Sequence, residues 1–116
     1  MIPYDSFTNV DQITKNVRRV ITKSLFTIMR QMYCPTMIHY MSLDVEGSEY
    51  AVLKEYFRQL TVQNTIQRIV SLTVEHNFRP DRSEIRTLLE ENDYVFVKEL
   101  CQDDLYVHAS FYPLIP

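Results

Sequence analysis

Two short apolar runs, each stopping abruptly at a polar cluster and each followed by an amphipathic stretch, constrain this chain more than any other feature. "MIHYMSLD" at 37–44 is too short to be a buried helix and is bounded by Pro35 on one side and an Asp-Glu-Gly corner on the other, so it reads as a largely buried strand. "QRIVSLTVEHN" at 67–77 has the chain's most β-branched apolar core and ends in Glu75, His76 and Asn77, which predicts a strand in the centre of its sheet. Between them Tyr50, Leu53, Phe57 and Leu60 recur at helical spacing, with Glu49, Lys54, Glu55, Arg58 and Gln59 assigned to the opposite, polar face. After the second run, Asp81 and Glu84 form a capping-box pattern ahead of the apolar Ile85, Leu88 and Leu89, which predicts another helix.

The flanking segments extend the alternation. "VRRVIT" at 17–22 is β-branched and reads as a strand or an extended lead into the next element. In "KSLFTIMRQMY" at 23–33, Leu25, Ile28, Met29 and Met32 share one helical face, and Pro35 stops the helix. "YVFVKEL" at 94–100 and "DLYVHASFY" at 104–112 alternate apolar and polar residues around "CQDD", the pattern of a hairpin with Asp103 and Asp104 solvated in its turn. Residues 1–16 are polar and weakly patterned and read as a flexible lead-in. Strand, helix, strand, helix, strand, helix and hairpin in this order predict an α/β domain, with a mostly parallel sheet, helices on its faces and a C-terminal antiparallel hairpin. At 116 residues with 46% hydrophobic content, the chain is one domain that can bury a core without metal or disulfides.

Composition excludes several function classes. A net charge of −3 offers no basic field for a nucleic-acid backbone. No apolar run approaches the roughly 18–20 residues of a membrane span, and the start has no basic-then-apolar leader pattern, so a cytoplasmic, soluble chain is expected. Cys34 and Cys101 lie far apart without metal-ligand spacing and are expected as reduced, buried thiols. Gly47 is the single glycine, whereas loops that wrap phosphates or a dinucleotide need several, so this sequence contains no such loop.

Ligands of open α/β sheets bind beyond the carboxyl ends of the strands, and here those ends carry "SLDVEG" and "VEHNF". If the two central strands are parallel neighbours, Asp44 and Glu46 stand beside Glu75, His76 and Asn77 on one rim. A carboxylate or imidazole there can take a proton from a substrate hydroxyl and make its oxygen a better nucleophile; the same atoms could instead ligate a divalent cation. Structural roles compete for the same residues. Ser48 fits the N-cap of the following helix with Glu49 favourable in its first turn, Asp44 fits a backbone-binding role at the corner, and His76 fits a hydrogen-bonded strand end. His39 and His108 read as structural, and the Met and Tyr residues of the first helix as packing.

"IHYMSLDVEGSEYAVLK", "IVSLTVEHNF" and "IRTLLEENDYVFVKELCQDDLYVH", taken in order, resemble the second half of an FkbM-type methyltransferase domain. The resemblance rests on a D-x-E-G-x-E corner, a V-E-H-N strand end, a helix with a Leu pair and a D-D-L-Y strand start, and it covers roughly residues 17–112. It implies a partial class I methyltransferase (Rossmann-like) fold, the donor S-adenosylmethionine, and transfer to an oxygen of a sugar or another small molecule. It places Asp44, Glu46, Glu75, His76 and Asn77 in the catalytic set and Asp44 and Gly47 near the donor, and assigns no metal. Domains of this family begin with a glycine-rich turn for the donor's methionine part, which this sequence lacks. Residues 17–116 are therefore expected to be the C-terminal half of the domain, inactive alone, with an apolar sheet edge that favours self-association or a partner supplying the missing strands. The alternative expectation is a non-catalytic binding or scaffold module derived from the same fold.

Overall fold

The computed structural model describes residues 23–112. The expected lead-in at 1–16 and the strand at 17–22 lie outside the described residues. Within them the order is α1 (Leu25–Gln31), β1 (Met37–Leu43), α2 (Glu49–Val62), β2 (Arg68–Glu75), α3 (Arg82–Glu91), β3 (Tyr94–Leu100) and β4 (Asp103–His108). Every element expected from 23 onward is present, with ends shifted by a few residues.

The four strands form one sheet in the order β1-β2-β4-β3. β1 and β2 are parallel neighbours, with Leu43 opposite Val74. The final hairpin folds back so that β4 lies between β2 and β3 and is antiparallel to both. The described sheet is therefore mixed, one parallel pairing and two antiparallel ones, and not the mostly parallel sheet expected from the strand-helix alternation. A short turn can join only antiparallel strands, so the hairpin dictates the β3–β4 pairing, and the placement of β4 beside β2 supplies the second antiparallel one. The turn is tighter than "CQDD" implied: Leu100 already pairs with Asp103, and Cys101 takes a left-handed φ of 58°.

β2 is central as expected, paired on both sides and buried at Ile69, Val70, Leu72, Thr73 and Val74. β1 is not. Its neighbour among the described residues lies on one side only, and most of the strand is exposed, with Leu43 its one buried residue. Met37 and Tyr40 lie open on it. An apolar composition thus made β1 look more enclosed than it is among the described residues.

All seven elements contribute to a single core cluster, from Phe26 and Met29 of α1 through Leu53 and Tyr56 of α2 to Tyr106 of β4. α1 packs on α2, α2 on α3, and α3 on β3. The buried face of α1 is carried by Phe26 and Met29, whereas Ile28 and Met32, expected on it, are exposed. In α2 the fully buried positions are Glu49, Leu53 and Tyr56, while Tyr50, Phe57 and Leu60 pack at the margin of the cluster. Buried hydroxyls add polar anchors: Tyr94 at the start of β3 donates to the carbonyl of Ile69 in β2 at 2.6 Å, and Tyr56 of α2 donates to Gln67 Oε1, just ahead of β2, at 2.6 Å. Both cysteines are free and exposed, contrary to the expectation of buried thiols. No helix among the described residues is long and apolar enough to cross a membrane.

Leu53 is fully enclosed at the centre of α2. Leu53→Ala removes its contacts and leaves a cavity that the surrounding elements fill only partly, so the unfolding free energy is expected to fall by about 2–5 kcal/mol in urea titrations followed by circular dichroism.

Candidate active site at the acidic rim

The corner after β1 is shaped by a carboxylate that the periodicity of α2 had placed on the outside. Glu49, the first residue of α2, is 0% exposed and turns back over the segment that precedes it. The Val45 N–H donates to its Oε2 at 2.8 Å and the Gly47 N–H donates to its Oε1 at 3.0 Å. Between these donors Glu46 and Gly47 take φ values of 53° and 98°, two successive left-handed residues that reverse the chain. An L side chain is strained at the second of these angles, which is where the sequence spends its single glycine. Ser48 stands at the N-cap position, but its hydroxyl makes no capping bond; the carboxylate one residue later has taken over the loop donors.

Glu49 is also the anchor for the next loop. Arg79 donates from Nη2 to Glu49 Oε1 at 2.6 Å and to the backbone carbonyl of Glu75 at 3.0 Å. The same guanidinium lies 3.7 Å from the carboxylates of Glu75 and Asp81. A fully buried carboxylate with three donors is stable, whereas one left without its cation is not. The Glu49–Arg79 pair therefore ties the end of β1 to the end of β2.

The parallel register brings the expected carboxylates together. Leu43 opposite Val74 sets Asp44 beside Glu75, and carboxylate oxygens of Asp44, Glu49 and Glu75 lie within 4.8 Å of one another. Asp44 and Glu46 are exposed, and Glu75 is partly buried. Burial raises the Glu75 carboxyl above its ordinary 4.5, and a hydrogen bond to Asp44 with the negative charges of Asp44 and Glu46 adds to the rise; Arg79 opposes it.

The sequence model of the Methyltransferase FkbM domain family matches residues 4–96 of the 116. The chain belongs to this family. No curated protein and no solved structure matches it. The family match includes the two strand ends that meet at the rim, and it begins within the segment expected as a lead-in.

Of the other residues expected on this FkbM-family rim, Asn77 is exposed and His76 is not. The chain turns through left-handed angles at Asn77 (43°) and Phe78 (55°), with the N–H groups of His76 and Asn77 both donating to the Gln102 carbonyl at 2.8 and 3.2 Å. That turn folds the His76 ring inward, to 1% exposure, where its Nδ1 accepts from the Phe78 N–H at 2.8 Å. With Nδ1 accepting, the ring proton belongs on Nε2, which points toward Asp104 Oδ1 at 3.7 Å and has no hydrogen-bond partner among the described residues. His76 offers the rim no free lone pair. It holds the turn that presents Asn77.

Asp104 was read as a solvated turn residue and is instead 2% exposed at the start of β4. Arg82 holds it through a two-pronged contact, Nε to Oδ2 at 2.8 Å and Nη2 to Oδ1 at 2.7 Å, and also reaches Glu99 at 2.6 Å. Asp81, expected to cap α3, makes no side-chain capping bond. His76, Glu99 and Asp104 have the spacing to surround a cation, as do Asp44, Glu49 and Glu75. In each group a guanidinium already pairs with two of the three members, Arg82 with Glu99 and Asp104 and Arg79 with Glu49 and Glu75. Sequence reasoning missed Glu49, Arg79, Arg82 and Asp104. The visible signal was an arginine four residues beyond Glu75 and another three residues beyond that, each facing an acid in a neighbouring segment.

The raised Glu75 carboxyl has a signed consequence for stability. Between 4.5 and its raised value the folded chain keeps a proton that the unfolded chain releases, so Glu75 makes stability fall as pH rises through that window. Glu75→Gln removes this dependence. The variant is expected to melt above the wild type at about pH 8 and to lose that advantage at about pH 4, in thermal scans across the range.

Proposed function

We propose that this FkbM-family chain carries the acceptor side of an S-adenosylmethionine-dependent O-methyltransferase site, with the Asp44–Glu75 carboxyl pair as the proton acceptor. The observation that carries the reading is the meeting of these two carboxylates at the adjoining ends of parallel strands, Asp44 exposed and Glu75 partly so, beside a left-handed glycine corner. An acceptor hydroxyl bound at the rim gives its proton to a carboxylate oxygen of Glu75, whose affinity for a proton is above that of an ordinary glutamate. Asn77, presented by the turn that His76 fixes, supplies an amide for hydrogen bonds to the acceptor. Positioning of this kind provides much of the rate in a displacement reaction, and the base need only relieve the oxygen of its proton.

The rim fits one part of the donor. The sulfonium is cationic, the exposed Asp44 and Glu46 are anionic, and a Cβ built on Gly47 would meet nothing within 4 Å, leaving open space at the corner. Asp44 and Gly47 are the residues that would face it. When bound, S-adenosylmethionine supplies an activated methyl group. The methionine end of the donor is a different matter, since a sequence with one glycine has no glycine-rich turn to receive it. We therefore assign the chain the acceptor half of the chemistry, with full activity requiring that turn to be contributed from outside these residues; the small-molecule class is a sugar or other hydroxyl compound.

The test is a titration of the chain with S-adenosylhomocysteine, followed by nitrogen-15 chemical shifts and calorimetry. Weak binding that moves the amide signals of residues 44–47 and 75–77 is expected, and Asp44→Asn should weaken it severalfold. Shifts confined to other parts of the molecule, or none up to the solubility limit, would sink the assignment of this rim to methyl transfer.

A further inference from the structure

We infer that Arg79, locked in place by the buried carboxylate of Glu49, is the positioning residue that sets the Asp44–Glu75 pair for its task. The inference deepens the reading of the rim as a reacting site and rests on it.

Three groups make a continuous path. The backbone N–H groups of Val45 and Gly47, on either side of Glu46 in the corner, end on the Glu49 carboxylate. That carboxylate receives Arg79 at 2.6 Å, and Arg79 in turn holds the backbone carbonyl of Glu75 at 3.0 Å. The two segments that bear Asp44 and Glu75 are thus joined through one guanidinium. The β1–β2 ladder sets their register up to Leu43 and Val74, and Glu75 is held further by its pairing with Asp103 of β4, whereas Asp44 lies past the end of β1 with no ladder partner among the described residues.

Charge makes the same link necessary. Asp44, Glu49 and Glu75 bring three carboxylates within 4.8 Å of one another, an arrangement that repels itself when all are ionised. Arg79 is the cation that reaches two of them directly, Glu49 at 2.6 Å and Glu75 at 3.7 Å. Because Glu49 is fully enclosed and accepts from three donors, it fixes the guanidinium at one point. Arg79 is therefore not a mobile counterion for Glu75 but a charge at a set distance, which keeps the Glu75 carboxyl from rising further than burial and Asp44 take it. Neither residue touches the acceptor in this account. They act through the pair.

A lysine carries the same charge but lacks the planar fork that spans a carboxylate and a carbonyl together. The experiment is a carbon-13 carboxyl titration of the whole chain, in the wild type, in Arg79→Lys, in Glu49→Gln and in the double variant Glu49→Gln/Arg79→Gln. The double variant removes both charges at once, so no lone buried carboxylate is left to unfold the protein. Because the double variant also removes the negative charge of Glu49, its Glu75 midpoint is read against that of Glu49→Gln alone and is expected to lie about one unit above it, while Arg79→Lys is expected to raise the midpoint by less than that relative to the wild type. A midpoint unchanged in both comparisons, whatever happens to the melting temperature, overturns the proposal and leaves Glu49 and Arg79 as packing devices. The titration needs neither methyl donor nor acceptor, so its result stands apart from that of the binding test on the rim.

Discussion

Everything at the rim depends on one carboxylate being out of water. Glu49 can be buried because two loop N–H groups and one guanidinium meet its oxygens, and those three donors come from two different loops. A buried ion pair adds little net stability compared with an apolar filling of the same space, but it is costly to break from one side. Its effect is to select one geometry. A corner with two left-handed residues and a strand end with two more would otherwise have several ways to turn.

The same device recurs on the far side of β2. There Arg82 bridges Asp104 and Glu99, and the His76 ring lies against Asp104 while its other nitrogen secures the turn at Asn77 and Phe78. The end of the central strand is consequently held from both flanks, by Arg79 toward β1 and by the Arg82–Asp104–His76 group toward β4. Arg79 lies in the connection from β2 into α3 and Arg82, three residues on, is the first residue of that helix. One short segment thus supplies the counter-charge for both sides of the rim.

How much of this the sequence disclosed follows from the kind of force involved. The parallel neighbourhood of β1 and β2, and with it the meeting of Asp44 and Glu75, was legible because alternating strands and helices leave few topologies. The hairpin and its antiparallel pairing were legible too, but not the insertion of β4 beside β2, which turned an expected mostly parallel sheet into a mixed one. Glu49 and Asp104 were misplaced for a common reason. Apolar periodicity sorts side chains by their affinity for water, and these two acids are buried by hydrogen-bond donors that arrive from elsewhere in the fold. His76 could be located at the strand end from sequence, but whether its ring faced the rim or the interior depended on the left-handed turn after it. In β1 the apolar run predicts an enclosed strand, whereas burial there depends on a neighbour on the outer side that the described residues do not provide.

Hydrogen exchange at the Val45 and Gly47 amides reads the Glu49 lock, because both groups lie in an exposed loop and Glu49 is their one acceptor among the described residues. With a locked corner, these two amides exchange as slowly as those in the core of β2, through unfolding of the whole domain. Exchange at the rate of an open loop would show that Glu49 does not hold the corner, and the account of the rim built upon it would fail.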